Sequence, residues 1–279
     1  MLNNILLKLL SESLLSLYPS IVKLIDYPVF NQSLIRFSIY TLIGLFFISN
    51  ELTLNKYTLL LGLINFVHIL SSYIGFNNLD LNISYTLFYI YPLFILLFSG
   101  SKLNVSMLLP IIATYLIYND KTQEKSEKSN KFIYGLIAII IAAITEAGIY
   151  FNVKKINYKN NMNIVFLAYG IPLIIMILFN KKIKNFITNI TEKKEDKLEV
   201  KNKNLIKILL LNGLIGVLGY YIRFYLTNKM DAKLFSILSY SGIIFSIIYS
   251  KIFRNENMSA KKLIGIILIL LFGLLNYNS

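Results

Sequence analysis

Of the ionisable side chains that fall within apolar stretches of the sequence, Glu12, His68 and Glu146 are the most informative. Near the centre of a bilayer such a group costs about 2.5–3.5 kcal/mol on insertion scales, so a chain keeps it there for a cavity, a partner or a function. A carboxylate in a poorly hydrated cavity holds its proton more readily, and can take up and release one near neutral pH. Glu12 and Glu146 are therefore expected to carry a proton, or to exchange it for a solute, with His68 beside them. The alternative is that each acid pairs with a neighbouring Lys, Arg or hydroxyl and only fixes helix packing.

The neighbours of these residues recur at helical spacing. Ser16, Pro19, Ser20 and Lys23 follow Glu12 on about the same face. Asn65, His68, Ser72 and Gly75 form a second stripe, and Asn212, Gly216, Gly219 and Arg223 a third, while Tyr150 lies one turn after Glu146. All are expected to point inward and line one cavity. Tyr85, Phe88, Tyr89 and Pro92 share a face further on, with Tyr220, Tyr221 and Tyr240 in later stretches. Rings beside carboxylates suit an organic cation, which each ring face attracts by about 0.5–2 kcal/mol. The expected substrate-binding or proton-coupling site is Glu12, His68, Tyr89, Glu146, Tyr220 and Tyr240, although many of the 20 tyrosines must serve as interface anchors.

The elements that position these residues are apolar windows, each close to the roughly 20 residues that a spanning helix needs. They run over about 4–24, 33–49, 57–76, 82–99, 104–119, 132–152, 162–179, 205–226, 233–251 and 262–277. The composition agrees: 56% hydrophobic and 15% charged residues, with a mean hydropathy of +0.62. Ordinary soluble domains carry about a quarter charged residues. A net charge of +14 would suggest nucleic acid in a soluble protein, but here the lysines sit mainly in the connections, facing water and anionic headgroups. The absence of cysteine excludes disulfide and thiolate chemistry, and a single histidine does not make a zinc site. No metal, cofactor or nucleic acid is therefore expected. Glu12 and Lys23 interrupt the first window and no small-residue cleavage pattern follows, so it reads as a span and not a signal peptide. Pro92 and Pro110 are expected to bend their helices.

Two connections are long. Residues 119–131 lack an apolar period and read as a tether; residues 180–204 carry eight lysines and four acids, with Phe186, Ile187 and Ile190 forming an amphipathic patch that lies along the interface. The tether divides the chain into residues 1–119 and 131–279, with 120–130 as linker. The two parts echo each other in order. Asn31-Gln-Ser-Leu-Ile-Arg-Phe37 has the rhythm of Asn161-Met-Asn-Ile-Val-Phe-Leu167, and Tyr73-Ile-Gly-Phe76 recurs as Tyr221-Ile-Arg-Phe224. Five spans is an odd number, so the second unit must enter the membrane upside down relative to the first. The expected fold class is all-α integral membrane, with ten transmembrane helices as two inverted five-helix repeats.

In Tyr18-Pro-Ser-Ile-Val-Lys23, Leu34-Ile-Arg-Phe37 and Ser84-Tyr-Thr-Leu-Phe-Tyr-Ile-Tyr-Pro-Leu-Phe94, the chain resembles the drug/metabolite transporter superfamily with its paired EamA-like domains. Leu234-Phe-Ser-Ile-Leu-Ser-Tyr-Ser-Gly-Ile-Ile244 and Lys262-Leu-Ile-Gly-Ile-Ile267 extend the resemblance to the second half. It implies a secondary transporter of a small polar or cationic metabolite, such as an amine, a choline-like compound or an amino acid. Alternating access coupled to protons or to exchange would drive it, in a multi-pass protein of the plasma membrane, monomeric or homodimeric. The small multidrug exporters of that superfamily also carry a membrane-embedded glutamate in the first span. The resemblance places both termini in the cytosol, whereas the lysine distribution places them outside. Rival classes are a non-transporting receptor or scaffold and, less favoured, an intramembrane lipid-modifying enzyme. His68 with Ser71 and Ser72 lacks the glycine-flanked nucleophile that an enzyme would show, so no catalytic residue is expected.

Overall fold

The computed structural model describes residues 2–24, 27–49, 52, 54–79, 81–100, 105–118, 130–156, 160–191, 202–254 and 259–277. Among these residues the regular elements are all helical. They are α1 (Leu2–Leu24), α2 (Val29–Phe46), α3 (Lys56–Asn78), α4 (Leu81–Phe88), α5 (Tyr91–Phe98), a 3-10 turn at Val105–Met107, α6 (Leu108–Tyr118) and α7 (Asn130–Lys155). The chain continues with α8 (Asn161–Leu178), α9 (Asn180–Ile190), α10 (Asn202–Thr227), α11 (Ala232–Ser239), α12 (Ser241–Arg254) and α13 (Ala260–Tyr277). The tether at 119–129 lies outside the described residues, as do the side chains of Pro19, Ser20 and Lys23.

Each apolar window coincides with a helix or a pair of helices, because backbone groups in an apolar medium must find partners within their own segment. Among the described residues six stretches are long and apolar enough to cross a bilayer: Val29–Phe46, Lys56–Asn78, Asn130–Lys155, Asn161–Leu178, Leu205–Thr227 and Ala232–Tyr249. Their outward faces carry exposed aliphatic side chains at helical spacing, such as Ile133, Ile137, Ile140 and Ile144 on α7 and Leu210, Leu211, Leu214 and Leu218 on α10. Apolar surface on this scale would be a liability in water and is the normal face toward lipid. The polar residues lie inside.

Two windows are broken where they pass the centre of the bundle. The first break, at Tyr89–Ile90, separates α4 from α5, and Pro92 stands in the first turn of α5, where a proline costs no intrahelical hydrogen bond. The second, at Tyr240, separates α11 from α12 without a proline. Pro110 does not bend a helix; it falls in the first turn of α6. Pro172 lies inside α8. Having no N–H, it leaves the carbonyl four residues back without its helical donor, and that carbonyl, Ala168, accepts from Asn65 Nδ2 at 2.6 Å. Asn65 therefore completes the backbone of α8 and does not line the cavity as expected.

The long helices pack in antiparallel pairs. Along α3 and α7, Ile64, His68, Gly75 and Leu79 meet Gly148, Ala142, Ile139 and Gly135 in turn. Along α1 and α10, Ser11 donates to the Gly219 carbonyl at 2.8 Å and Tyr18 lies beside Gly216. In α2 and α8, Ser49 reaches Asn163, Gly44 touches Phe166 and Thr41 faces Gly170. At the periphery Asn276, near the end of α13, donates to Ser106 just before α6 at 2.8 Å. The α1 helix also packs on α11 and α12, as α7 packs on α4 and α5.

Close approach depends on glycines at particular contacts. A Cβ on Gly44 would lie 2.8 Å from Phe166 Cα, against backbone that cannot step aside, whereas one on Gly170 would meet Thr41 Cγ2 at an ordinary 3.6 Å. Gly44→Ala is expected to cost about 1–3 kcal/mol through overpacking. Thermal denaturation of the purified protein in detergent should show a lowered Tm for Gly44→Ala and an unchanged one for Gly170→Ala. Equal effects would contradict the α2–α8 packing.

Candidate functional site

Arg223 of α10 occupies the middle of the bundle and joins both expected acids. Its Nη2 lies 2.6 Å from Glu12 Oε1 of α1, and its Nη1 pairs with Glu146 Oε1 of α7. Lys8, one turn before Glu12, places Nζ 2.6 Å from the same Glu12 oxygen and sits 3.4 Å from the centre of the Phe235 ring. Arg223 Nη2 also donates to the Tyr91 hydroxyl at 2.6 Å. Relative exposure is 0% for Lys8 and Glu12 and 3% for Glu146 and Arg223, so the cluster is cut off from bulk water. Buried charges of this kind are retained only when each is paired and hydrogen-bonded.

His68 extends the network. Its Nδ1 lies 3.0 Å from the Ala142 carbonyl, which can only accept, so that nitrogen carries a proton. Its Nε2 faces Glu146 Oε2 at 3.2 Å and the Tyr220 hydroxyl at 3.2 Å, and Tyr220 in turn reaches Glu146 Oε2 at 3.4 Å. A proton between His68 Nε2 and Glu146 would have an acceptor on either side. Thr145 Oγ1 approaches Nδ1 at 3.3 Å.

A small cavity of about 30 Å³ adjoins the cluster, with Arg36, His68, Arg223, Tyr220, Phe88 and Tyr89 among the side chains on its wall. It has room for a water molecule or two and no more. Tyr89 closes one side at the α4–α5 break: its hydroxyl hydrogen-bonds Ser16 Oγ at 2.8 Å, and Ser16 Oγ donates to the Gly242 carbonyl of α12 at 2.9 Å. Tyr85 donates to the Ser16 carbonyl. One serine thus holds the two broken segments together.

Of the residues singled out from sequence, Glu12, His68, Glu146 and Tyr220 meet in one network, and Tyr89 lies across the cavity from it. Tyr240 stands apart, buried at the end of α11 with its ring edge-on to Phe272 at 5.2 Å. Gly75 packs on Ile139, and Tyr150 lies against Phe235 with ring centres 4.8 Å apart, so neither faces the cavity. Lys8, Tyr91 and Arg36 were missed, and Arg223 was placed on the inward face without a role. A usable signal existed: the chain has three arginines, Arg36, Arg223 and Arg254, and two fall inside apolar windows. In so lysine-rich a chain, arginine in a span marks a position that needs its fixed charge and planar fork.

Residues 133–277 match the EamA-like transporter family. The chain belongs to that family. It is accordingly a multi-pass integral membrane protein of the drug/metabolite transporter type, and its partners are membrane lipid and a small-molecule substrate. The family is one of transporters and not of enzymes. A solved crystal structure, 16% identical, aligns over 99% of this EamA-like chain and 96% of its own with a TM-score of 0.67, a likeness of fold. None of the curated proteins matches it.

Removing Arg223 would leave two carboxylates facing each other in a dry interior. Arg223→Met is expected to destabilise by about 3–5 kcal/mol, the cost of breaking a buried ion pair from one side. Converting Glu12 and Glu146 to Gln in the same chain should recover part of that loss. Thermal unfolding in detergent checks both; an Arg223→Met protein as stable as the parent would show that the ion cluster does not hold the bundle.

Proposed function

We propose that the chain is a secondary transporter that moves a small polar metabolite across the plasma membrane by alternating access, coupled to a proton through Glu146 and His68. Two five-helix units of opposite sense would build it: α1, α2, α3, α4–α5 and α6 from residues 1–119, and α7, α8, α10, α11–α12 and α13 from residues 131–279, ten spans in all.

The packing supports the inverted arrangement. If each span is exchanged for its counterpart five places on, α3–α7 becomes α10–α1, and the packing of α7 on α4–α5 becomes that of α1 on α11–α12; each pair is present. Counterparts that meet directly, α2 with α8 and α6 with α13, run antiparallel. A twofold axis lying in the membrane plane produces that sense, whereas an axis along the membrane normal would give parallel pairs. Both units break their fourth span at the bundle centre, as transporters do where irregular backbone borders a site.

The observation that carries the reading is the junction itself. Arg223 of the second unit clasps one acid from each unit beside a water-sized cavity. An ion cluster spanning two bodies has discrete arrangements, so a proton on Glu146 would loosen its hold on Arg223 and bias the bodies toward another packing. The geometry favours a polar over a cationic solute, because the charges of Glu12 and Glu146 are taken up by Lys8 and Arg223.

Reconstituted liposomes test this with labelled amino acids, amines and choline, with and without an imposed pH gradient. At least one solute should accumulate with the gradient and stop when a protonophore collapses it. Glu146→Gln should abolish gradient-driven accumulation yet still permit exchange of labelled for unlabelled solute. Full accumulation by Glu146→Gln would remove the proton from Glu146, and the absence of flux for every solute would set the transporter reading aside for this panel.

A further inference from the structure

A second buried arginine is not used by the ion cluster. Arg36 of α2 is 4% exposed, and among the described residues no carboxylate lies within ion-pair distance of it. Tyrosine rings surround it instead, with its Cζ 4.4 Å from the centre of Tyr18, 5.1 Å from Tyr40, 5.3 Å from Tyr220, 5.8 Å from Tyr169 and 5.9 Å from Tyr73. Aromatic faces attract the cation but satisfy none of its N–H groups. The Tyr18 and Tyr169 hydroxyls approach the guanidinium closely enough to interact with it, but neither they nor the Tyr40 hydroxyl make a well-aligned hydrogen bond with it, and its Nε and Nη2 have none.

Those two nitrogens form one edge of the guanidinium, the edge whose parallel N–H bonds match the two oxygens of a carboxylate. The phenols around it supply further donors. Among the described residues within the ion cluster and the cavity wall, the cationic side chains are Lys8, Arg36 and Arg223 and the carboxylates are Glu12 and Glu146, so with His68 neutral one positive charge there has no acid to match it. A buried charge left so is expensive unless a ligand completes it. Arg36 lines the same cavity as Phe76 and Phe88, which offer an apolar wall beside the fork.

We propose that Arg36 binds the carboxylate of the transported solute, which is a small organic acid or amino acid with an apolar body lying against Phe76 and Phe88. The solute class named here is that of the carrier described above, and it rests on that reading for the opened form that admits the solute, since the present cavity has room for no more than a water or two. A carboxylate suits the site better than phosphate, because one fork among neutral phenols matches a single negative charge.

Equilibrium binding to purified protein in nanodiscs, with benzoate, L-phenylalanine, inorganic phosphate and choline as probes, tests it. Benzoate or L-phenylalanine should bind saturably, and phosphate and choline should not. Arg36→Lys keeps the charge and loses the fork, so it should weaken carboxylate binding about 10-fold; Tyr40→Phe, which removes one donor without touching charge, should weaken it about 3- to 10-fold. No carboxylate binding, a preference for phosphate or choline, or carboxylate affinity unchanged in both folded variants would overturn the proposal. The same probes in proteoliposomes separate the two readings. Carboxylate binding without flux keeps this site and removes the carrier, whereas choline flux indifferent to Arg36→Lys keeps the carrier and removes this site.

Discussion

The bundle is organised around one guanidinium. Arg223 sits where water does not reach, and its two terminal nitrogens are committed to acids on different helices, Glu12 and Glu146. An ion pair in such a place contributes little net stability, because desolvation offsets most of the attraction. What it supplies is position. Neither acid can move away without leaving a charge stranded, so α1, α7 and α10 are held at one depth and in one register. The polar features nearby follow from that placement: His68 fits between Glu146 and the α7 backbone, Tyr91 takes the remaining face of Arg223, and Lys8 balances the second acid.

Around this fixed centre the protein keeps its irregular backbone. The breaks at Tyr89–Ile90 and Tyr240 lie against each other and are joined through Ser16, a single small hydroxyl from α1. Irregular backbone at membrane depth is tolerated only where it is buried in protein or lines a cavity, and both breaks are. Long paired helices thus lie outside, the ion cluster inside, and the two divided spans between them.

The positions of the helices were legible in the sequence because hydrocarbon imposes a length and a composition that few other environments demand. The inward orientation of Glu12, His68 and Glu146 was legible for the same reason: polarity in an apolar window is too costly to leave facing lipid. Their partners were not, since spacing along one helix gives a face and says nothing of what stands opposite. Arg223 and Arg36 could have been found from type alone, being arginines in spans of a chain that otherwise uses lysine. The break at Tyr240 left no local mark, as Leu238-Ser-Tyr-Ser-Gly242 contains nothing that forbids a helix; the contact with Tyr89 and Ser16 decides it. The rings expected to greet an organic cation were partly engaged already, with Tyr220 lying over the protein's own Arg36.

Asn65 shows how a polar residue in a span can serve the backbone and not the solute. Its amide occupies the carbonyl that Pro172 leaves open, so α3 and α8 share one hydrogen-bond ladder at that level. Sliding these helices apart would bare a peptide oxygen to an environment with no donors. The α3 and α8 helices are thereby riveted together at that level, and neither can shift along the other without breaking the bond that completes its partner's backbone.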